Sequence, residues 1–134
     1  ARTRAALAAL KPPRNVLAQW GDVDDMPGLY NSVHATAVCF AAGHGKSCPN
    51  SLVESLACGR PALLTDGCDV AELVRRHSAG VVVGRTAATL LYGVEQIRAN
   101  LHQGTARAFA AAREVFAMDR FKREYADLYD AVSQ

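Results

Sequence analysis

Two short apolar runs without a charge, Ala35 to Phe40 and Pro61 to Leu64, bracket a single amphipathic helix pattern, and this unit narrows what the chain can become. Runs of this length and composition suit strands buried on both faces, as in parallel sheets. Between them Leu52, Val53, Leu56 and Ala57 form one apolar stripe, Gly59 supplies the left-handed residue that ends helices, and Pro61 blocks continuation. The unit is strand, loop, helix, strand. In open parallel sheets ligands collect beyond the carboxyl ends of the strands, where helix N-termini present unpaired amides. Asn50, Ser51 and Leu52 are the expected donors, and a phosphate is the natural guest.

The remaining elements alternate in the same way. Arg2 to Leu10 reads as a helix stopped before Pro12 and Pro13, and Asn15 to Trp20 as a strand. A helix begins near Pro27, favoured by Asp24 and Asp25, and delivers the Ala35 strand. Asp66 to Asp69 is a turn with a capping aspartate, Val70 to His77 is helical, Gly80 ends that helix, and Val81 to Val83 is a last short strand. Three helices follow. Thr86 caps the first, which carries Leu90, Leu91, Val94, Ile97 and Leu101; Phe109, Ala112 and Phe116 mark the second; Phe121, Tyr125, Leu128 and Val132 mark the third. The fold expected is α/β, a Rossmann-like three-layer sandwich whose mostly parallel sheet has about four strands, in one domain over residues 1–134.

Composition sets limits on function. Half of the 134 residues are apolar, enough for one core. The formal charge of +2 is dispersed and gives no reason to expect nucleic acid. No apolar run approaches the roughly 20 residues of a membrane span, and no signal-peptide pattern opens the chain, so a cytoplasmic address is the default. Cys39, Cys48, Cys58 and Cys68 lack the close pairs of a zinc site and are expected as free thiols, with Cys39 and Cys58 buried and Cys48 exposed.

The segment Pro49-Asn50-Ser51-Leu52-Val53-Glu54-Ser55-Leu56-Ala57-Cys58-Gly59-Arg60-Pro61 resembles the donor-binding signature of the retaining glycosyltransferases of family 4, also called group 1, which have the GT-B fold. Asn15 to Val23, Met26 to Tyr30 and the Phe121 to Tyr129 helix follow in the family's order, so the resemblance runs along nearly the whole chain. It implies the later part of the C-terminal, nucleotide-sugar-binding lobe, without the lobe's first two strands. With those strands absent the Asn15 strand has no neighbour, and unpaired buried backbone groups cost about 1 to 3 kcal/mol each. The Asn15 strand is therefore expected beside the Ala35 strand, or a second copy or another chain completes the sheet.

By this resemblance Glu54 accepts hydrogen bonds from the ribose hydroxyls of a nucleotide, for which an ionised carboxylate is well suited. A competing reading comes from spacing alone, since Ser51-x-x-Glu54 also fits a capping box in which Glu54 serves only backbone. The family pairs that glutamate with another eight positions earlier, which meets the donor sugar; here the position is Lys46. Lysine donates to sugar hydroxyls or attracts a diphosphate, but it cannot accept. The resemblance assigns the diphosphate and sugar to Lys46, Ser47, Cys48, Pro49, Asn50, Ser51, Leu52 and Thr65, and the nucleotide base to the vicinity of Gly21. No catalytic residue is identified, and no metal or cofactor is implied. Gly43-His44-Gly45-Lys46-Ser47 is a poor P-loop, because Phe40 stands where that loop needs its first glycine.

The expected function is donor binding in a retaining transferase that moves a sugar from a UDP- or GDP-linked donor to an unknown acceptor, with the chain inactive unless an N-terminal lobe joins it. A peripheral membrane acceptor is compatible with this reading. The alternative, favoured by Lys46, is a noncatalytic nucleotide-binding or assembly module of the same fold.

Overall fold

The computed structural model describes residues 5, 6, 9, 13–44 and 46–133. Of the helix expected over Arg2 to Leu10, Ala5, Ala6 and Ala9 are helical, and the rest lies outside the described residues, as does Gly45. Helix α1 (Met26–Asn31) starts where Asp25 accepts a hydrogen bond from the Gly28 amide at 2.8 Å, with Pro27 in the first turn. It leads into strand β1 (Thr36–Val38). Helix α2 (Asn50–Ala57) ends at Gly59, whose φ of +69° is the left-handed stop, and strand β2 (Ala62–Thr65) follows. Helix α3 (Ala71–Arg76) precedes strand β3 (Gly80–Val83). Helices α4 (Ala87–Ala99), α5 (Leu101–Val115) and α6 (Met118–Val132) complete the described chain.

The three strands form a parallel sheet in the order β1-β2-β3, with Val38 opposite Leu64 and Leu64 opposite Val82. Alternation along each strand divides the core in two. On one face Ala62 and Leu64 pack with Leu52 and Leu56 of α2, Val74 of α3, and Ala108, Ala111 and Ala112 of α5. On the other, Leu63 and Val83 pack with Ile97 of α4. Helices therefore cover both faces of the sheet, and the small alanine stripe of α5 lets that helix approach α2 closely. No described helix is long and apolar enough to cross a membrane.

The sheet departs from expectation at its open side. Asn15 to Trp20 is not a strand and does not lie beside β1; it is exposed loop, with Leu17 at 90% exposure. A strand gains its hydrogen bonds only from a neighbour, and without one the backbone does better in water. Among the described residues the sheet thus has three strands rather than about four, and no described strand pairs with the outer edge of β1. Cys39, expected to be buried, is exposed, because it follows this edge strand, and Cys58 is half-buried.

Other corrections are local. The N-cap of α3 is Val70 without any side-chain bond, so no aspartate of the preceding turn caps it. Gly80 does not end α3, which closes at His77; Ser78 takes the positive φ of +49°, and Gly80 is the first residue of β3. Thr86 does cap α4, exchanging hydrogen bonds with Thr89. Leu91, Val94 and Phe109 point outward, and α6 buries nothing: Phe121, Tyr125 and Tyr129 stack on one another with ring centroids 5.4 and 5.3 Å apart.

Candidate functional site

The carboxyl ends of β1 and β2 and the start of α2 meet where a parallel sheet concentrates its ligand sites. Pro49 is the N-cap of α2, in extended conformation and buried, and it offers no side-chain hydrogen bond. Its carbonyl accepts from the Leu52 amide at 3.0 Å and the Val53 amide at 3.3 Å. The amides of Asn50 and Ser51 come too early to find a helical carbonyl. Of the three expected donors, two are therefore available to a ligand, and Leu52 is engaged.

Ser51 lies inside the helix rather than at its cap, so the capping box that competed for Glu54 does not form. Glu54 instead accepts from the Tyr30 hydroxyl, which reaches it from α1 with O–Oε2 at 3.0 Å. The carboxylate is exposed while Tyr30 is buried, so the phenol steadies an acid whose remaining lone pairs face solvent. Burial, the hydrogen bond to Glu54 and its negative charge push the Tyr30 hydroxyl up from 10.0 to about 12. A raised pKa means that the folded chain holds this proton when the unfolded chain has lost it. Its contribution to stability is whole below pH 10.0 and disappears as pH rises through about 12. In an alkaline absorbance titration the difference between wild type and Tyr30→Phe is expected to show a midpoint near 12. A midpoint near 10 would show that Tyr30 is neither buried nor bonded to Glu54.

A cleft of about 540 Å³ opens beside this helix end, lined by Ala37 to Phe40 on one side and by Lys46, Cys48, Pro49, Asn50 and Ser51 on the other. A smaller groove of about 280 Å³ shares Ala37, Val38 and Ser51 with it and is lined also by Tyr30. Both are lined by residues of β1, whose outer edge pairs with no described strand. Ser51 and Glu54, three residues apart, lie on one side of α2, but Glu54 itself lines neither space and meets the groove only through Tyr30.

Five of the residues singled out from sequence thus meet in one cleft, and the others lie elsewhere. Ser47 is not in the lining; its carbonyl accepts from the Val70 amide at 3.3 Å. Leu52 is fully buried in the core. Thr65 is buried too, and its Oγ1 takes the Phe40 amide at 2.9 Å, which fixes the end of β1 to β2. Gly21 occupies the exposed loop with φ of +101°, a conformation that needs glycine.

Arg85 was not anticipated. From just beyond β3 its guanidinium donates to the Phe40 carbonyl at 3.2 Å and to the Asp66 carbonyl, and it pairs with the Asp66 carboxylate at 2.9 Å. One side chain thereby gathers the ends of β1 and β2 from the third strand. The only sequence signal was a basic residue at a strand's carboxyl end, and its partners lie 45 and 19 positions away. The ion pair is partly exposed and worth little by itself, whereas the bonds to carbonyls orient loops. Arg85→Ala is expected to destabilise the chain by about 1 to 2 kcal/mol in urea unfolding. An unchanged midpoint would mean that the clasp is not formed in solution.

The family model described as "Glycosyl transferases group 1" matches residues 3–100, a span that includes the sheet, α2 and the whole cleft. The chain belongs to that family. No curated protein and no solved structure matches it. The matched span ends before α6, so the Phe121 to Tyr129 helix that contributed to the resemblance lies outside it. The parallel sheet and the family match together support a glycosyltransferase-like nucleotide-binding domain.

Proposed function

We propose that the chain is the nucleotide-sugar-binding C-terminal lobe of a retaining GT-B glycosyltransferase and that its donor lies in the cleft at the start of α2. The observation that carries this reading is the Glu54 carboxylate, which is free of any capping role, steadied by the Tyr30 hydroxyl at 3.0 Å and exposed on the helix whose first residue is Asn50. A carboxylate accepts from both hydroxyls of a vicinal diol, and unpaired amides at a helix N-terminus suit a diphosphate. In transfer the same amides and Lys46 would stabilise the negative charge that collects on the departing diphosphate. Leu52 and Thr65 would support the site by packing and by holding Phe40, and Gly21 would adjoin the base.

Titration of the folded chain with UDP, GDP and their sugar conjugates tests the reading. Saturable binding of at least one diphosphate is expected; a folded chain that binds none overturns the proposal.

Lys46 favours a second reading, a nucleotide-binding module without transfer, because an ammonium cannot accept from the sugar hydroxyls that an acid at this position would hold. Lys46 is exposed and lines the cleft, so the distinction is open to experiment. In the complete enzyme, Lys46→Glu is expected to change transfer at least tenfold, corresponding to about 1.4 kcal/mol of contact to the sugar. Unchanged transfer removes position 46 from sugar recognition.

A further inference from the structure

Cys48 and Cys68 belong to different loops, one leaving β1 and the other leaving β2, and the backbone stitches these loops together. The Val70 amide donates to the Ser47 carbonyl at 3.3 Å. The Cys68 thiol donates to the Lys46 carbonyl at 2.6 Å, and its sulfur stands 3.9 Å from the Ser47 carbonyl oxygen. That oxygen belongs to the peptide that joins Ser47 to Cys48. Standard peptide geometry therefore brings the Cys68 sulfur within roughly 7 Å of the Cys48 Cα. A disulfide holds its two Cα atoms about 4.4 to 6.8 Å apart, so forming the bond requires the Cys68 sulfur to turn from the two carbonyls toward Cys48 and the loop to shift.

We propose that Cys48 and Cys68 are a modification site, a thiol pair that oxidises reversibly to a disulfide beside the cleft. Burial raises both thiols, so each is held mainly in the protonated form and the exchange runs through a small thiolate fraction, slowly and faster as pH rises. The negative charge of a Cys68 thiolate raises Cys48 further, which agrees with their closeness. Cys48 is exposed and meets the oxidant first, while Cys68 is buried behind it.

With a small-molecule disulfide as oxidant the step balances in two exchanges. The Cys48 thiolate attacks one sulfur of the oxidant and expels a thiolate, leaving a mixed disulfide on Cys48. The Cys68 thiolate then attacks the Cys48 sulfur and expels the second small thiolate. Two protein thiols lose two electrons and two protons, and one small disulfide becomes two thiols. The crosslink ties the loop bearing Lys46 and Pro49 to the turn after β2. It encloses residues 48–68, a loop long enough for the bond to raise the melting temperature by on the order of 10 °C.

The pair does not depend on donor binding, because its formation is read without nucleotide. Incubation of the chain with oxidised glutathione, followed by thiol counting in denaturant and mass-spectrometric fragment mapping, is expected to show two thiols lost, a Cys48–Cys68 bond, the rise in melting temperature, and reversal by dithiothreitol. Cys48→Ser, at an exposed position that leaves the core untouched, is expected to abolish the bond and the thermal shift, whereas Cys58→Ser keeps both. Four thiols remaining after oxidation, or a bond from Cys48 to its cleft neighbour Cys39, overturns the proposal.

Discussion

Glu54→Ala is expected to weaken nucleoside diphosphate binding roughly 30- to 150-fold while leaving the chain folded. Two hydrogen bonds from a ribose diol to an ionised carboxylate contribute about 2 to 3 kcal/mol between them after exchange with water, which converts to that range. Stability should fall by about 1 kcal/mol, because Glu54 is itself exposed but its loss takes the partner from the hydroxyl of the buried Tyr30. Glu54→Gln separates charge from shape: the amide oxygen still accepts, so an intermediate loss is expected. Tyr30→Phe acts through Glu54 and should weaken binding by less than Glu54→Ala, because the carboxylate stays but is no longer steadied. Isothermal titration with UDP and GDP reads all three. If Glu54→Ala binds within twofold of wild type, the ribose assignment fails even where the diphosphate still binds at the helix end.

The second large effect is on the fold. Gly80→Ala is expected to cost about 4 kcal/mol or more, a large part of the total stability of a domain of this size. A Cβ at this position would stand 2.0 Å from the Ala62 carbonyl oxygen and 2.7 Å from the Ala62 nitrogen, in the strand paired with it. Backbone cannot rotate aside as a side chain can, so relief requires β2 and β3 to separate and their hydrogen bonds to lengthen. Gly93 offers the contrast. Its added Cβ would meet the end of the Leu63 side chain, which can change rotamer as a backbone atom cannot. Urea unfolding of Gly80→Ala should show a lower midpoint, or no folded baseline. A melting temperature within about 2 °C of wild type would mean that the two strands are not packed as described.

Features that depend on a few consecutive residues were legible before the fold was known. Asp25 and Thr86 cap their helices, Gly59 turns left-handed, and the apolar runs at Ala35 and Pro61 are the strands β1 and β2. Each is decided within about one turn of chain, where local sterics and hydrogen bonding act alone. The cleft was legible for a related reason, since a strand, loop and helix in sequence bring Lys46, Cys48, Pro49, Asn50 and Ser51 together without help from distant segments. Glu54 was found by its place in the family pattern, but its environment was not. Whether it caps its own helix or faces outward depends on where α2 begins and on Tyr30, 24 residues earlier.

The same distinction explains the errors. Asn15 to Trp20 has the apolar content of a strand, yet a strand is a relation between two segments, and no described strand pairs with it. Gly80 looked like a helix stop because glycine serves in that role; its actual necessity is the approach of Ala62 from a strand formed 18 residues earlier. Arg85 carried no local mark at all, because its worth lies in the carbonyls of Phe40 and Asp66, which only the closed sheet sets within reach.

Sequence alone therefore determined the family, the order of the parallel unit and the helix end at which the proposal sets a diphosphate, because these rest on contacts between near neighbours in the chain. Tertiary structure decided which side chains are free to act. It removed Leu52 and Thr65 into the core, released Glu54 from capping and held it through Tyr30, and left the edge of β1 unpaired, since burial and pairing are settled only when segments far apart in sequence meet.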